Sequence, residues 1–122
     1  MSTILIVDDE PMVADVLTTL LTTYGHTVTT RTNSAEALDL IENTYDLYLF
    51  DLRMPDPNGA ELTEAVMRIH PEARVLIMTA FPGDPIAAQA LRAGAVALVK
   101  KPFEIGKILA HLNQAVSQRR EK

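Results

Sequence analysis

Five side chains that could bind a metal ion or a phosphate stand at the ends of apolar runs: Asp8, Asp9, Asp51, Thr79 and Lys101. Three carboxylates brought together would repel one another and raise each other's pKa values unless a cation lay among them. Carboxylate oxygens favour a hard divalent ion, Mg²⁺ or Mn²⁺, over zinc. The residue types therefore predict a magnesium or manganese site, provided that the fold brings them together.

A lysine and a hydroxyl beside such an ion would complete a site for a phosphoryl group. Phosphoryl transfer needs mainly neutralisation of charge and in-line placement of the attacking and leaving atoms. One carboxylate could then act as the nucleophile and carry the group as an acyl phosphate. Each residue also has an ordinary structural role, such as an aspartate at a helix start. The hypothesis therefore depends on whether the fold brings these side chains to one place.

Composition limits the alternatives. The chain has 122 residues, no cysteine and a formal net charge of -5. This length predicts a single domain, residues 1–122. The absence of cysteine excludes a disulfide framework and any cysteine-ligated zinc or iron–sulfur site. The acidic balance argues against a general affinity for nucleic acid. No apolar run is long enough to span a membrane and no signal peptide is apparent, so we expect a cytoplasmic protein.

Five short β-type runs alternate with five helical patterns along the chain. The runs cover residues 4–7, 27–31, 47–50, 75–78 and 96–99. Four of them are continuously apolar, which is typical of strands buried on both faces of a parallel sheet. The run at 27–31 is the most polar, and we therefore expect it at an edge of the sheet.

The segments between these runs carry helix start signals. Asn33 and Glu36 predict a capping box for a second helix. That helix would include Leu38 and Ile41 on its apolar face. Asp84 is typical of an N-cap and predicts the start of the fourth helix.

Alternation of strands and helices predicts right-handed βαβ crossovers. The expected fold is an α/β protein, a three-layer α/β/α sandwich around a doubly wound, five-stranded parallel sheet. Sheets of this kind bind ligands beyond the carboxyl ends of their strands. All five residues with suitable chemistry follow predicted strands at that edge, which supports their convergence.

Four motifs stand at these strand ends: Ile4-Leu5-Ile6-Val7-Asp8-Asp9-Glu10, Asp51-Leu52-Arg53-Met54-Pro55 with Gly59, Met78-Thr79-Ala80, and Lys101-Pro102-Phe103. At these spacings the chain resembles the receiver domains of bacterial two-component response regulators. The resemblance covers residues 4 to about 116. It implies a flavodoxin-like fold with strand order 2-1-3-4-5.

The resemblance also implies roles for single residues. Asp51 would be the phosphoacceptor and a ligand of Mg²⁺ (or Mn²⁺). Asp9 would bind the ion directly, and Asp8 directly or through water. The backbone carbonyl of Arg53 would be the remaining protein ligand.

On the same basis, Thr79 would hydrogen-bond the phosphoryl group and Lys101 would pair with it. Lys101 takes this role rather than Lys100 because it directly precedes Pro102, and the bond between Lys101 and Pro102 is expected to be cis. One position departs from the family. An aromatic residue often stands three positions before the paired lysine, where this chain has Leu98.

The implied phosphoryl donor is a phosphohistidine on a sensor histidine kinase or a histidine phosphotransfer protein. A change of surface on the fourth helix, fifth strand and fifth helix would then reach a downstream partner, a fused output domain or a second copy of the chain. Neither nucleic acid nor membrane is an expected partner. Arg119, Arg120 and Lys122 either offset the macrodipole of the last helix or begin a linker to an output domain.

Three functions follow from the residues. The first is a phosphorylation-controlled signalling module, not an enzyme apart from phosphoryl uptake and self-dephosphorylation. The second is a magnesium-dependent phosphohydrolase with an aspartyl nucleophile. Such enzymes typically carry a second acid two residues after the nucleophile, where this chain has Arg53. The third is a non-phosphorylated, receiver-like interaction domain, and the intact set of acids, threonine and lysine counts against it.

Overall fold

The computed structural model describes residues 2–101 and 104–121, with side chains for 2–101 and 104–114. Five strands form its sheet: β1 (Thr3–Val7), β2 (Thr27–Arg31), β3 (Leu47–Asp51), β4 (Val75–Thr79) and β5 (Ala97–Lys100). They pair in parallel in the order β2-β1-β3-β4-β5. The order predicted from the family resemblance is therefore confirmed, and the polar second strand lies at an edge.

Helices connect the strands: α1 (Pro11–Thr23), α2 (Ser34–Ala37), α3 (Gly59–Ile69), α4 (Pro85–Ala93) and α5 (Ile105–Glu121). Their buried residues fall into two apolar clusters. Leu5 and Val7 of β1 pack with the cluster that α2, α3 and α4 help to form. Ile4 and Ile6 pack with the cluster of α1 and α5. Because neighbouring strand residues point to opposite faces, the sheet is covered on both sides and the predicted three-layer sandwich is confirmed.

The second helix is shorter than predicted. It ends at Ala37, so Leu38 and Ile41 lie in the turns that follow it. Asn33 does cap the helix, because its side chain accepts hydrogen bonds from the amides of residues 35 and 36. Beyond the helix, Leu40 N–H donates to the carbonyl of Ala37. Bonds of this i to i−3 type form tight turns rather than a continuing α-helix, while Ile41 remains buried in the core.

Capping positions the two helices that flank the site edge. Asn58 and Glu61 form a reciprocal capping box at the start of α3, a signal that the sequence contains but that the loop residues around it obscured. The Asp84 side chain accepts a hydrogen bond from the amide of Ile86, so its predicted role as the N-cap of α4 is confirmed. Both helices therefore start at defined residues beside the strand ends.

Among the helices of residues 2–101 and 104–121, none combines the length and the apolar character that crossing a membrane requires.

Candidate functional site

Four strand ends bring the predicted residues to one edge of the sheet. Asp51 and Thr79 are the last residues of β3 and β4. Asp8 directly follows β1 and Lys101 directly follows β5. The amide of Lys101 donates to the carbonyl of Thr79 at 2.9 Å, which fixes the end of β5 against the end of β4. Parallel pairing thus assembles residues that are far apart in the chain.

The ammonium group of Lys101 lies among the carboxylates. Its Nζ atom is 3.0 Å from Oδ1 of Asp51, 3.2 Å from Oδ2 of Asp8 and 3.3 Å from Oε1 of Glu10. Asp8 is fully buried and Asp51 is 5% exposed, whereas the side chain of Lys101 is 18% exposed. A single cation therefore faces two buried acids and one exposed acid.

Burial sets the protonation behaviour of this cluster. Loss of solvation, and then the negative charge of Asp8, raise the pKa of the Asp51 carboxyl to about 7. Burial likewise raises the pKa of Asp8, against the hydrogen bond from the amide of Glu10. Burial alone would lower the pKa of Lys101, but the hydrogen bond and charge of Asp51 and the charge of Asp8 outweigh it and raise that pKa. The cluster has more negative charge than one lysine neutralises.

The same edge offers oxygen ligands for a divalent cation. Asp8, Asp9, Glu10 and Asp51 each contribute a carboxylate oxygen, and these oxygens all lie within 4.8 Å of one another. Oδ2 of buried Asp8 has the Lys101 ammonium 3.2 Å away, and Lys101 is shared with Asp51 and Glu10. An all-oxygen donor set whose carboxylates outnumber the adjacent cation fits a hard cation such as Mg²⁺.

Glu10 is a member of this cluster that the sequence interpretation did not assign. It follows two aspartates directly, and its side chain is exposed and reaches Lys101. Its amide also donates to Oδ1 of Asp8 at 2.9 Å, which orients that carboxylate. Three consecutive acids after a strand were the available signal for its place in the site.

A glycine allows the loop after β3 to close beneath the site. A Cβ atom added to Gly59 would overlap the carbonyl oxygen of Asp51 and lie 2.9 Å from the Cα of Leu52. The amide of Gly59 donates to the carbonyl of Leu52 at 2.9 Å. The first residue of α3 therefore packs directly on the backbone of Asp51, an approach that a side chain would prevent.

Thr79 lies at the predicted edge, but its hydroxyl is engaged by the following loop. Oγ1 accepts a hydrogen bond from the amide of Phe81 at 3.0 Å and donates to its carbonyl at 3.2 Å. The Phe81 side chain itself is 74% exposed. In this arrangement the hydroxyl is committed to the loop.

Arg53 lies in the loop between β3 and α3, two residues after Asp51. Its guanidinium group donates two hydrogen bonds to Asp84, from Nε to Oδ2 at 2.7 Å and from Nη2 to Oδ1 at 3.0 Å. From the sequence, we expected a role in metal binding only for the backbone carbonyl of Arg53. The two residues are 31 positions apart, and no local pattern could have paired them.

Leu98, at the position that is often aromatic in the family, is half-buried and packs against the cluster beneath α4. Its backbone carbonyl accepts a hydrogen bond from Nζ of Lys107 at 2.6 Å. The expected cis bond between Lys101 and Pro102 lies outside the described residues, as does Phe103 of the same motif.

Comparisons with known proteins agree with this geometry. Residues 4–113 match the sequence profile of the family described as the response regulator receiver domain. Over 118 residues, 96% of this chain, the sequence is 36% identical to the DNA-binding transcriptional regulator NtrC of Escherichia coli (strain K12), of which it covers 25%. The chain spans between a quarter and about half of the length of the curated relatives that it matches.

Solved structures share the whole fold. A CheY-like response regulator receiver domain protein from Methanospirillum hungatei superposes with a TM-score of 0.89 at 30% identity, over 100% of this chain and 99% of the other. A response regulator from Burkholderia pseudomallei, crystallised with a phosphorylated aspartic acid, a calcium ion and citrate, has a TM-score of 0.83 at 28% identity, over 99% of this chain and 72% of the other. With the profile match covering most of the sequence, the chain belongs to the receiver domains of two-component response regulators.

Proposed function

We propose that this receiver domain accepts a phosphoryl group on Asp51 from a phosphohistidine of a sensor histidine kinase or a phosphotransfer protein. The observation that carries the proposal is the place of Asp51, a carboxylate 5% exposed whose Oδ1 lies 3.0 Å from Nζ of Lys101. The phosphorylated aspartic acid in the Burkholderia pseudomallei protein supports the same chemistry.

In the proposed reaction, an oxygen of ionised Asp51 attacks phosphorus and forms an acyl phosphate. The bond between phosphorus and the imidazole nitrogen of the donor breaks, and its electron pair stays on that nitrogen. Lys101 neutralises charge on the incoming group, and Thr79 donates a hydrogen bond once its hydroxyl hydrogen leaves the carbonyl of Phe81. Since Asp51 and Lys101 come from different strands, the sheet keeps the attacking oxygen and the ammonium in register.

Mg²⁺ (or Mn²⁺) is the proposed cofactor, held by Asp8, Asp9, Asp51 and the backbone carbonyl of Arg53. When bound, it would supply positive charge to the phosphoryl oxygens. The cluster of carboxylate oxygens within 4.8 Å of one another supports this choice of ligands. Glu10 belongs to the same cluster but pairs with Lys101, so we propose that it balances the lysine rather than binds the ion.

The domain is a signalling module, and we propose that its only chemistry is on itself: phosphoryl uptake and later hydrolysis. Phosphohydrolases with an aspartyl nucleophile typically carry a second acid two residues after it. Arg53 stands there, and its guanidinium group is committed to Asp84 at 2.7 Å. An acid for a leaving group is therefore missing from that position.

We propose that phosphorylation changes the face formed by α4, β5 and α5, and that a downstream partner, a fused output domain or a second copy of the chain binds there. Leu91 of α4 and Val96, which directly precedes β5, are 42% and 43% exposed. Ala87 and Ala90 of α4 are buried, so these alanines serve packing, and the apolar surface comes from other residues. The greater length of the relatives supports an output domain as one form of partner.

The test is phosphorylation with acetyl phosphate and Mg²⁺, followed by intact mass. We expect one phosphoryl group on the wild-type chain and none on Asp51→Asn. Asp56→Asn is the matched control, because Asp56 is an exposed aspartate in the same loop. Equal labelling of the Asp51→Asn variant would assign the acceptor elsewhere, and loss of labelling in the control alone would contradict the proposal equally.

A further inference from the structure

We propose that Arg53 and Asp84 are positioning residues whose ion pair holds the connection between β4 and α4 in the arrangement in which Thr79 bonds to Phe81. The pair would thereby weaken binding of a phosphoryl group at Asp51. The inference rests on the proposed role of Asp51 as the acceptor. It concerns a contact between the loop that follows β3 and the residue that caps α4.

Arg53 and Asp84 form an ion pair with two hydrogen bonds. The guanidinium of Arg53 meets both oxygens of Asp84, at 2.7 Å and 3.0 Å, in the two-pronged arrangement that gives an arginine pair its directionality. The side chain of Asp84 is only 7% exposed, against 67% for Arg53. The hydrogen bond from Arg53, and that from the amide of Ile86, lower the pKa of the Asp84 carboxyl, so the pair is charged at neutral pH.

Asp84 connects the pair to α4. Its Oδ1 also accepts a hydrogen bond from the amide of Ile86 at 2.9 Å and so caps α4. One carboxylate therefore ties the start of α4 to a residue two positions after Asp51. Arg53 is attached to the site through the backbone, and Asp84 is attached to the helix, so the pair links the two.

Hydrogen bonds also hold the loop between β4 and α4. Thr79 Oγ1 accepts from the amide of Phe81 at 3.0 Å, and the amide of Asp84 donates to the carbonyl of Phe81 at 3.0 Å. Phe81 is thus bonded to the strand end on one side and to the helix cap on the other. For Thr79 to donate to a phosphoryl oxygen, its hydroxyl hydrogen must leave the carbonyl of Phe81. In the proposed change, the loop that Asp84 anchors rearranges as this hydrogen bond breaks.

The ion pair should shift the equilibrium between the two loop arrangements toward the one in which Thr79 bonds to Phe81. A phosphoryl group can favour one loop arrangement only by binding it better than the other. An ion pair present in the starting arrangement and broken in the other opposes this shift. Its removal should therefore tighten binding of a phosphoryl mimic by about two- to fivefold, which is the range that a partly exposed pair supplies.

The experiment compares the full chain with Asp84→Asn, Arg53→Gln and the double variant. Asparagine keeps the N-cap of α4, because it caps as well as aspartate. It removes the charge and one of the two oxygens that Arg53 contacts. Glu64→Gln is the control, since it removes the exposed pair between Arg68 and Glu64, 2.6 Å apart on α3. The dissociation constant of beryllofluoride with Mg²⁺ is measured for each by NMR titration.

We expect both single variants to bind about two- to fivefold more tightly than wild type. The double variant should gain no more than either single one, because one interaction is lost in each. The control should match wild type. Unchanged affinity in Asp84→Asn would overturn the proposal. Weaker binding by Arg53→Gln together with tighter binding by Asp84→Asn would also overturn it, since Arg53 would then contact the phosphoryl group itself.

A second measurement does not depend on phosphorylation. Without beryllofluoride, the solvent exchange rates of the amides at positions 81 and 84 should rise by about two- to fivefold in Asp84→Asn and not in the control. Unchanged rates at both amides would show that the pair does not restrain the loop. If wild type failed to bind beryllofluoride at all, the proposed function would be wrong, while these exchange rates would still decide whether the restraint exists.

Discussion

Nζ of Lys101 lies 3.0 Å from Oδ1 of Asp51, although α3, β4, α4 and β5 separate the two residues in the chain. The lysine is held from the end of β5 and the aspartate is the last residue of β3. The ammonium of Lys101 also lies 3.2 Å from Oδ2 of Asp8, so one cation compensates two buried carboxylates. The stability of the site edge therefore depends on this cation when no metal ion is bound.

Removal of the lysine should destabilise the chain. In Lys101→Met, Asp8 and Asp51 lose their cation, and breaking a buried pair by removing one partner is costly. At pH 8 without Mg²⁺ we expect the free energy of unfolding to fall by about 3 kcal/mol, measured by urea denaturation. Lys100→Met is the control, because Lys100 is the adjacent exposed lysine. Equal losses in both variants would show that the buried pairs contribute nothing specific.

Stability should depend on pH through Asp51. The folded state raises the pKa of Asp51 from 3.8 to about 7, chiefly by burial, so it binds this proton more tightly than the unfolded state does. Without Mg²⁺, stability should therefore decline as the pH rises from the unfolded pKa to the folded pKa of Asp51, by on the order of 4 kcal/mol. The raised pKa of Lys101 adds no slope there, since its contribution is lost only above the ordinary lysine range.

Asp51→Asn cannot ionise and should show a clearly smaller decline in urea denaturation between pH 5 and pH 8. The comparison at pH 5 controls for any general effect of the substitution, because both side chains are then mostly neutral. A decline of the same size in the variant would mean that Asp51 is not the group responsible.

Magnesium should stabilise the chain by mass action. At a concentration ten times its dissociation constant, a bound ion adds about 1.4 kcal/mol, which raises the melting temperature by a few degrees. Asp9→Ala should remove most of this rise in thermal denaturation with millimolar Mg²⁺. Asp15→Ala is the control, because Asp15 is an exposed aspartate on α1. A full rise in Asp9→Ala would move the ion to another site.

Gly59 should not tolerate a side chain. A Cβ at this position would overlap the carbonyl oxygen of Asp51, so Gly59→Ala should lower the free energy of unfolding by about 1 to 3 kcal/mol. Gly83→Ala is the control, since a Cβ there meets nothing within 4 Å. Urea denaturation measures both. A stability loss in the control that matched the Gly59 variant would refute a specific steric effect beneath Asp51.

Phosphorylation should perturb one side of the sheet more than the other. With beryllofluoride and Mg²⁺, we expect larger amide shifts over residues 79–98 than over 18–43, because the loop after Thr79 leads into α4 and β5. Two-dimensional NMR measures both segments in the same sample. Shifts restricted to the neighbourhood of Asp51, with residues 86–98 unchanged, would direct the search for an output face elsewhere.

Several features of this protein follow from the sequence alone. Continuous apolar runs predicted strands buried on both faces, and the polar run at 27–31 predicted the edge strand, because burial on one or two faces selects the composition. Asp84 predicted the start of α4, since capping is a local interaction. The residue types of Asp51 and Lys101 predicted the chemistry of the site once the sheet was recognised.

Only the tertiary structure decided how these groups meet. The short α2 resulted from turns that place Ile41 in the core, a preference that no local pattern expressed. The pair between Arg53 and Asp84 joins two loops 31 residues apart, and the hydroxyl of Thr79 turns to Phe81 rather than to the strand end beside it. Sequence determines propensities and charges over a few residues. Only the folded sheet, with its helices packed on it, sets the distances between strand ends and brings distant residues into pairs. The same packing buries Asp51 and so raises its pKa.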